Sequence, residues 1–373
     1  METNADSAIW LATPPASWPT APAQMTVTTL SQIESCPRQW ALSAADYPEL
    51  WNERGYPPRF HLSALVGTVV HLALETITRA LIRARCPSLQ DATAIQVMKD
   101  LGGFTKVVND IIDRALADLA SSPRARRSLE FATRSLRAKV PELRTRVHTM
   151  LCRVRLPPPS PYPAARCVHT ERRPLTTGVF SEVDLRAKQL GWKGRADLLV
   201  LSPDECEIID FKTGAPDDRH RFQIQVYALL WSRDADLNPD RKRATRLVLA
   251  YDSSDVEVHA PNDSELEVLE THLGTRRDAA YLAVSQHPPQ ARPQPDSCQY
   301  CSVRHLCGEY WTPETQRQMA QDCDEQRFVD VEVTITGLRG PSSWDGRVEL
   351  SRGTATGKAA VIRKHGNLNL AGR

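Results

Sequence analysis

The sequence predicts an α/β fold: a mixed β-sheet flanked by helices, with a helical insertion and a small β-rich appendage towards the C-terminal end. Apolar residues recur at helical spacing in residues 61–85, 219–233 and 263–285. Residues 168–212 instead read as three or four short strands, and residues 329–336 alternate apolar and polar side chains as a half-buried strand does. Strands and helices that are interspersed along a chain favour a sheet covered by helices.

The composition is that of a soluble globular protein. The chain has 373 residues, a formal net charge of +2, 41% hydrophobic and 25% charged residues, which allows a large core and up to two domains. Because the net charge is small, any nucleic-acid surface has to come from local clusters of basic residues. No stretch approaches the roughly 20 apolar residues of a membrane helix, and residues 1–6 lack the features of a secretory signal. We therefore expect a cytoplasmic protein with no membrane contact, whose cysteines are thiols or metal ligands rather than disulfides.

Changes in composition divide the chain into three regions. Residues 1–24 are rich in proline and alanine and predict a flexible arm. Residues 25–325 contain the helix and strand patterns of the main domain, and residues 326–373 form the β-rich appendage. The main domain subdivides into a helical insertion at about 90–155, a sheet that carries the catalytic residues at about 165–255, and a cysteine cluster at 298–307.

Three residues in the middle of the chain predict metal-assisted chemistry. Asp197 ends the turn Gly194–Asp197 and opens an apolar run, and Asp210 and Lys212 lie two apart in the next run. Residues two apart on a strand share a face, and a hairpin would bring Asp197 beside this pair. Two neighbouring carboxylates repel each other unless a cation lies between them, and carboxylate oxygens suit Mg²⁺ or Mn²⁺. The set predicts phosphodiester hydrolysis, in which the lysine orients water or neutralises charge on phosphate oxygens. A structural salt bridge between Lys212 and the aspartates is the alternative.

Further motifs stand in order around these residues. His71 and Glu75 share one helix face at i,i+4, and Gln223 and Tyr227 share another downstream. Together with the Asp-x-Lys motif, they resemble the PD-(D/E)XK nuclease superfamily, and more narrowly its RecB-like branch, over roughly residues 28–310. The resemblance implies a restriction-endonuclease-like fold.

The resemblance also implies a role for each residue. The implied ligands of Mg²⁺ or Mn²⁺ are two carboxylates, an imidazole and a backbone carbonyl: Asp197, Asp210, His71 and Phe211. Lys212 positions the attacking water, and Gln223 and Tyr227 lie near the active site or the DNA backbone. Glu171, ahead of the predicted sheet, binds a second metal ion or holds a metal-bound water. The product is expected to carry a 5′-phosphate.

Four cysteines have the layout of a metal cluster. They are Cys36, Cys298, Cys301 and Cys307. The last three are one thiolate short of the four that a tetrahedral Zn²⁺ or a [4Fe–4S] cluster usually needs, and Cys36 is the obvious fourth. The layout is similar to the iron–sulfur staple of AddB-type nucleases and of CRISPR-associated adaptation nucleases, which implies a structural [4Fe–4S] cluster; spacing alone leaves Zn²⁺ open. Ser31 and Glu34 have the spacing of a capping box, which predicts that the helix leading to Cys36 begins at Ser31.

Basic residues are concentrated in one stretch of the helical insertion. Residues 124–155 contain ten basic and two acidic residues. Such a stretch can follow a phosphate backbone, and the alternative is a solvated helix face. The predicted DNA-binding residues are Arg124, Arg126, Arg127, Arg134 and Arg137.

These patterns together predict a metal-dependent DNA nuclease, an exonuclease that prefers single strands. The family resemblance implies DNA repair, recombination or defence against mobile elements, with single-stranded DNA or duplex ends as partner and a helicase or a defence complex as associate. The alternative is a catalytically silent DNA-binding scaffold subunit of a helicase–nuclease complex. That alternative is disfavoured because every expected active-site position is filled.

Overall fold

The fold is taken from a computed structural model that describes residues 15–48, 50–51, 54–154, 172–321, 331–340, 343–351 and 354–363. The helices are α1 (Val27–Ser35), α2 (Pro37–Ala44), α3 (Leu62–Arg83), α4 (Ala92–Asp100), α5 (Gly103–Ser121), α6 (Leu129–Ala138), α7 (Val140–Leu151), α8 (Asp218–Arg233), α9 (Asp263–Val284), α10 (Pro295–Cys298) and α11 (Pro313–Gln321). The strands are β1 (Gly178–Ala187), β2 (Trp192–Leu201), β3 (Cys206–Lys212), β4 (Arg246–Tyr251), β5 (Asp255–Val258), β6 (Val331–Gly340), β7 (Ser343–Ser351) and β8 (Thr354–Arg363).

Five strands form the central sheet in the order β1-β2-β3-β4-β5. Neighbours are antiparallel except β3 and β4, which run parallel and are joined by the crossover helix α8. A second, antiparallel sheet has the order β6-β7-β8. The predicted fold class, a mixed sheet flanked by helices with a small C-terminal β-sheet, is confirmed.

Helices cover both faces of the central sheet. Along β3, successive side chains point to opposite faces: Ile208 packs into a cluster with α1, α2, α8 and α9, whereas Ile209 packs into a cluster with α3, α5, α6 and α7. Both residues are almost fully buried. The sheet therefore separates two apolar layers of helices.

Helix α3 is the spine of the second layer. By length and composition it could cross a membrane, so the expectation that no stretch has this character is wrong. Val69, Val70, Leu74 and Ile77 are nevertheless buried against the sheet and α5. A helix buried in a core needs the same apolar composition as one that spans a bilayer.

Midway along the β1–β2 hairpin, the side chains of β1 switch from one face of the sheet to the other. Val179 packs with the α3 layer, but Val183, only four residues later, packs with the α8 layer. Glu182 lies between them with a φ of 54°, in the left-handed region that non-glycine residues rarely adopt. It is opposite Asp197, since the flanking register pairs are Ser181 with Leu198 and Val183 with Ala196.

The beginning and end of the main domain meet on one side of the sheet. Arg38 of α2 donates to both carboxylate oxygens of Glu309, at 2.9 and 3.0 Å, and to the carbonyl oxygen of Pro289 at 2.6 Å. Helix α1 begins at Val27, and the side chain of its N-cap residue, Thr26, accepts a hydrogen bond from the Thr29 amide. The predicted start at Ser31 is therefore wrong, because a parallel bridge between Met25 and Trp192 fixes the chain one turn earlier.

Candidate active site

The site lies where β2 separates from β3. The two strands pair from Leu201 to Leu198 on β2, with Cys206 to Ile209 on β3, and their pairing ends there. Asp197 is the next residue of β2, and its Oδ2 accepts a hydrogen bond of 2.6 Å from the Phe211 amide. The carboxylate therefore bridges the opening between the strands.

His71 reaches the same point from α3. Its Nδ1 lies 3.6 Å from Asp197 Oδ1. Gly67, one turn earlier, allows the approach, because a Cβ there would be 3.0 Å from Thr213 Oγ1 just beyond β3. Burial lowers the pKa of His71, but the hydrogen bond and charge of Asp197 outweigh it and leave the pKa above its ordinary value.

Asp210 is the most deeply buried carboxylate of the site. Its side chain is 4% exposed, and burial, followed by the charge of Asp197, raises its pKa against the opposing effect of Lys212. Its Oδ2 lies 2.5 Å from Lys212 Nζ, in a buried ion pair. An ionised carboxylate has further acceptor sites beyond this one contact, and these are suited to a metal ion.

A chain of two hydrogen bonds connects Lys212 to two side chains of α8. Its Nζ donates to Gln223 Oε1 at 2.7 Å, and Gln223 Nε2 donates to the Tyr227 hydroxyl at 2.7 Å. Burial, then the charges of Asp210 and Asp197, raises the pKa of Tyr227. Gly194 on β2 permits this packing, because a Cβ there would lie 2.7 Å from Tyr227 Cε1.

The structure brings two further carboxylates to the site. Glu182 faces Asp197 across the hairpin, and its Oε2 lies 2.9 Å from Arg195 Nε. Burial, then the Asp197 charge, raises the pKa of Glu182 to about 7. Glu75, one turn beyond His71, pairs with Arg79 at 2.6 Å. Glu75 was visible in the sequence as a helix-face neighbour of His71, whereas nothing in the sequence singled out Glu182, since its place depends on strand register.

The other predicted site residues are placed differently. Glu171 lies outside the described residues, and its role stays a prediction. Arg124 points towards the cysteine segment, where its Nη1 donates to the Ser302 carbonyl at 2.8 Å and its guanidinium lies over Tyr56. Arg134 pairs with Glu130 at 2.8 Å, and Arg137 pairs with Asp113 on α5. DNA binding by these residues, and by Arg126 and Arg127, also stays a prediction.

The four cysteines line one small cavity between the start of α2 and the segment after α10. They are Cys36, Cys298, Cys301 and Cys307. Burial raises the pKa of the Cys301 thiol to about 11 and that of Cys307 to about 12. The cavity is also lined by Arg38, Arg292 and Arg304. Arg38 is paired with Glu309, whose Oε2 lies 3.5 Å from Cys307 Sγ.

Within the described portion of the chain, no three His, Cys, Asp or Glu side chains lie close enough together to enclose a metal ion. A bound ion therefore requires the side chains to draw inwards. The donors fit in kind, since carboxylate and imidazole groups meet at the opening between the strands and the four thiols share one cavity.

The sequence profile of the PD-(D/E)XK nuclease superfamily matches residues 24–308, well over half of the chain. The chain belongs to this superfamily. Membership of the superfamily suggests a nuclease of the hydrolase class.

The other comparisons add little to the superfamily assignment. No curated protein matches the chain. Among solved structures, the crystal structure of SSO0001 is 22% identical over 35% of this chain and 60% of that chain, with a TM-score of 0.23. We draw no functional argument from that likeness.

Proposed function

We propose that this member of the PD-(D/E)XK superfamily is a Mg²⁺- or Mn²⁺-dependent DNA exonuclease of the RecB-like branch that prefers single strands. The observation that carries the proposal is the meeting of Asp197, Asp210 and Lys212 at the opening between β2 and β3. A salt bridge between Lys212 and Asp210 kept for stability alone would not explain why His71 lies 3.6 Å from Asp197 at the same opening.

Each residue has a distinct role in the proposed reaction. Asp197, Asp210 and His71, with the Phe211 carbonyl, hold the divalent ion, which when bound polarises the phosphodiester and lowers the pKa of a water ligand. Lys212 orients the attacking water and offsets charge that develops on phosphate oxygens. Gln223 keeps the Lys212 ammonium directed into the opening.

We propose further that the four cysteines hold a [4Fe–4S] cluster as a structural staple, with Zn²⁺ as the alternative. The support is that Cys36 and the three later cysteines share one cavity although more than two hundred residues separate them. Closing so long a loop removes conformational freedom from the unfolded chain. The ion pair of Arg38 with Glu309 fixes the same two segments.

The test uses one anaerobic preparation. A broad visible absorption band with iron present would support the cluster, whereas colourless protein with bound zinc would replace it by Zn²⁺. Mn²⁺-dependent degradation of end-labelled single-stranded DNA should fall about 10²–10³-fold in Lys212→Ala, and the labelled end gives the polarity. Lys188→Ala, an exposed lysine that pairs with Asp236, is the matched control.

Two outcomes would contradict the catalytic proposal. Cleavage that is indifferent to Lys212 would reject the assigned site. DNA binding by wild type without any cleavage would support the silent scaffold, for which a helicase or a defence complex in the cytoplasm is the proposed setting.

A further inference from the structure

A second cavity lies next to the active site, on the far side of Tyr227. Its volume is about 360 Å³, within the size range of small-ligand sites. The start of α1, the β1–β2 hairpin and α8 form its walls, with Thr26, Thr28, Arg186, Lys193, Arg195 and Tyr227 among the lining residues. Gln223 also lines it, so one hydrogen-bonded chain joins this cavity to Lys212.

The cavity carries positive charge that the described residues do not neutralise. Arg186 and Lys193 are direct partners across the antiparallel hairpin, a position in which like charges repel. Both are exposed, and neither side chain makes an ion pair with any residue that the structure describes. Asp184 is the carboxylate of the lining, but it lies 3.7 Å from Arg195 Nε, which also pairs with Glu182.

The backbone fixes the cavity in place. The Met25 amide donates to the Gly191 carbonyl at 2.7 Å, and the Lys193 amide donates to the Met25 carbonyl at 2.9 Å. This bridge sets the first turn of α1 beside β2, and that turn contains no acidic residue. Gly194 lets Tyr227 pack against the strand as the shared wall. These contacts fix the walls of the cavity, and therefore the positions on β1 and β2 from which Arg186 and Lys193 extend.

We propose that this cavity binds a backbone phosphate of the DNA strand, next to the phosphate that is cleaved. The inference rests on the proposed nuclease function. A phosphate between Arg186 and Lys193 turns their repulsion into two charge-assisted contacts. The hydroxyl of Thr28 supplies a neutral donor. Phosphate contacts of this kind set the register of a strand without reading its sequence, and here they would direct the next phosphodiester towards Lys212.

The experiment measures binding apart from cleavage. Arg186→Ala/Lys193→Ala is placed in a Lys212→Ala background, and the anisotropy of a fluorescein-labelled single-stranded oligonucleotide is followed without divalent metal over a series of salt concentrations. The dissociation constant should rise about tenfold for every sequence tried, and the slope of log affinity against log salt should shrink by about 0.7 for one lost phosphate contact. The matched control removes two exposed basic residues outside the cavity, Lys188→Ala/Arg83→Ala.

Unchanged affinity and slope relative to the control would overturn the inference and leave the nuclease proposal intact. If wild type cleaves no DNA, the proposed function fails, but the binding data still decide whether the cavity holds phosphate. Folding is checked independently, since loss of the repelling pair should leave the melting temperature unchanged or raise it.

Discussion

Three carboxyl groups meet at the point where β2 leaves β3. They belong to Glu182, Asp197 and Asp210. Glu182 adopts a left-handed backbone conformation, and Asp210 is a buried carboxyl group whose pKa is raised by burial and by the charge of Asp197. Each feature costs stability, and such costs concentrate at functional sites. The folded protein should therefore be more stable when one of these carboxyl groups is replaced by a neutral side chain.

Glu182→Gln tests this expectation through pH. The pKa of Glu182 is raised from 4.5 to about 7 in the folded protein, so folding favours the neutral carboxyl group. The stability that Glu182 contributes is complete below its unfolded-state pKa and is lost as the pH rises through 7. The variant should be more stable than wild type by on the order of 1 kcal/mol at about pH 8, after allowance for Arg195 and solvent screening. Urea unfolding in EDTA should show most of this gain gone at about pH 5. An equal gain at both pH values, or the same gain in the exposed control Glu314→Gln, would contradict it.

Gly194→Ala tests the packing that holds Lys212. The added Cβ would meet Tyr227 Cε1 at 2.7 Å and Leu230 Cδ1 at 2.9 Å, so we expect a loss of about 1–3 kcal/mol in unfolding free energy. Cleavage should fall as well, because Tyr227 positions Gln223. Gly274→Ala on α9 meets nothing within 4 Å and should instead stabilise the helix by about 0.5–1 kcal/mol. Melting and cleavage assays on both variants separate crowding from the general effect of replacing glycine.

At the scale of elements, local spacing was enough to predict what depends on local geometry. Helical periodicity located α3, α8 and α9 to within two residues, and the two apolar runs that follow Asp197 and contain Asp210 predicted the hairpin that β2 and β3 form. Tertiary contacts decided the rest. The start of α1 depends on the Met25–Trp192 bridge, Glu182 depends on register, and the inward direction of Arg124 depends on where Ser302 packs.

Arg38→Lys tests how strongly α2 is fixed to the C-terminal end of the main domain. Arg38 is 8% exposed and uses three donor atoms on Glu309 and Pro289. A lysine cannot reproduce this fork, so the loss of charged hydrogen bonds should lower unfolding free energy by about 1.5 kcal/mol, the low end of the usual range because the Glu309 side chain is 44% exposed. Arg317→Lys, in an exposed pair with Glu314, should change it by less than about 0.5 kcal/mol. Equal midpoints in urea for the two variants would show that the buried fork adds nothing.

At the scale of the whole molecule, we predict that the smaller sheet is separable from the rest of the chain. None of the three apolar clusters of the described residues includes a residue of β6, β7 or β8, and the superfamily match ends at residue 308. A chain truncated after Gln321 should therefore keep the melting temperature and the cleavage rate of the full chain. A truncated protein that aggregates or loses activity would place the sheet within the nuclease core.

The meeting of Arg38 with Glu309 also has a consequence for synthesis. Chains emerge from the ribosome N-terminal end first, so α2 is made long before the residues that bind it. Its partners, with Cys298, Cys301 and Cys307, follow more than two hundred residues later. Strands β2 and β3 are thus translated before α2 can bind Glu309. If the proposed nuclease activity requires α2 to be fixed to Glu309, a nascent chain gains that activity only after nearly all of residues 25–309 have been synthesised.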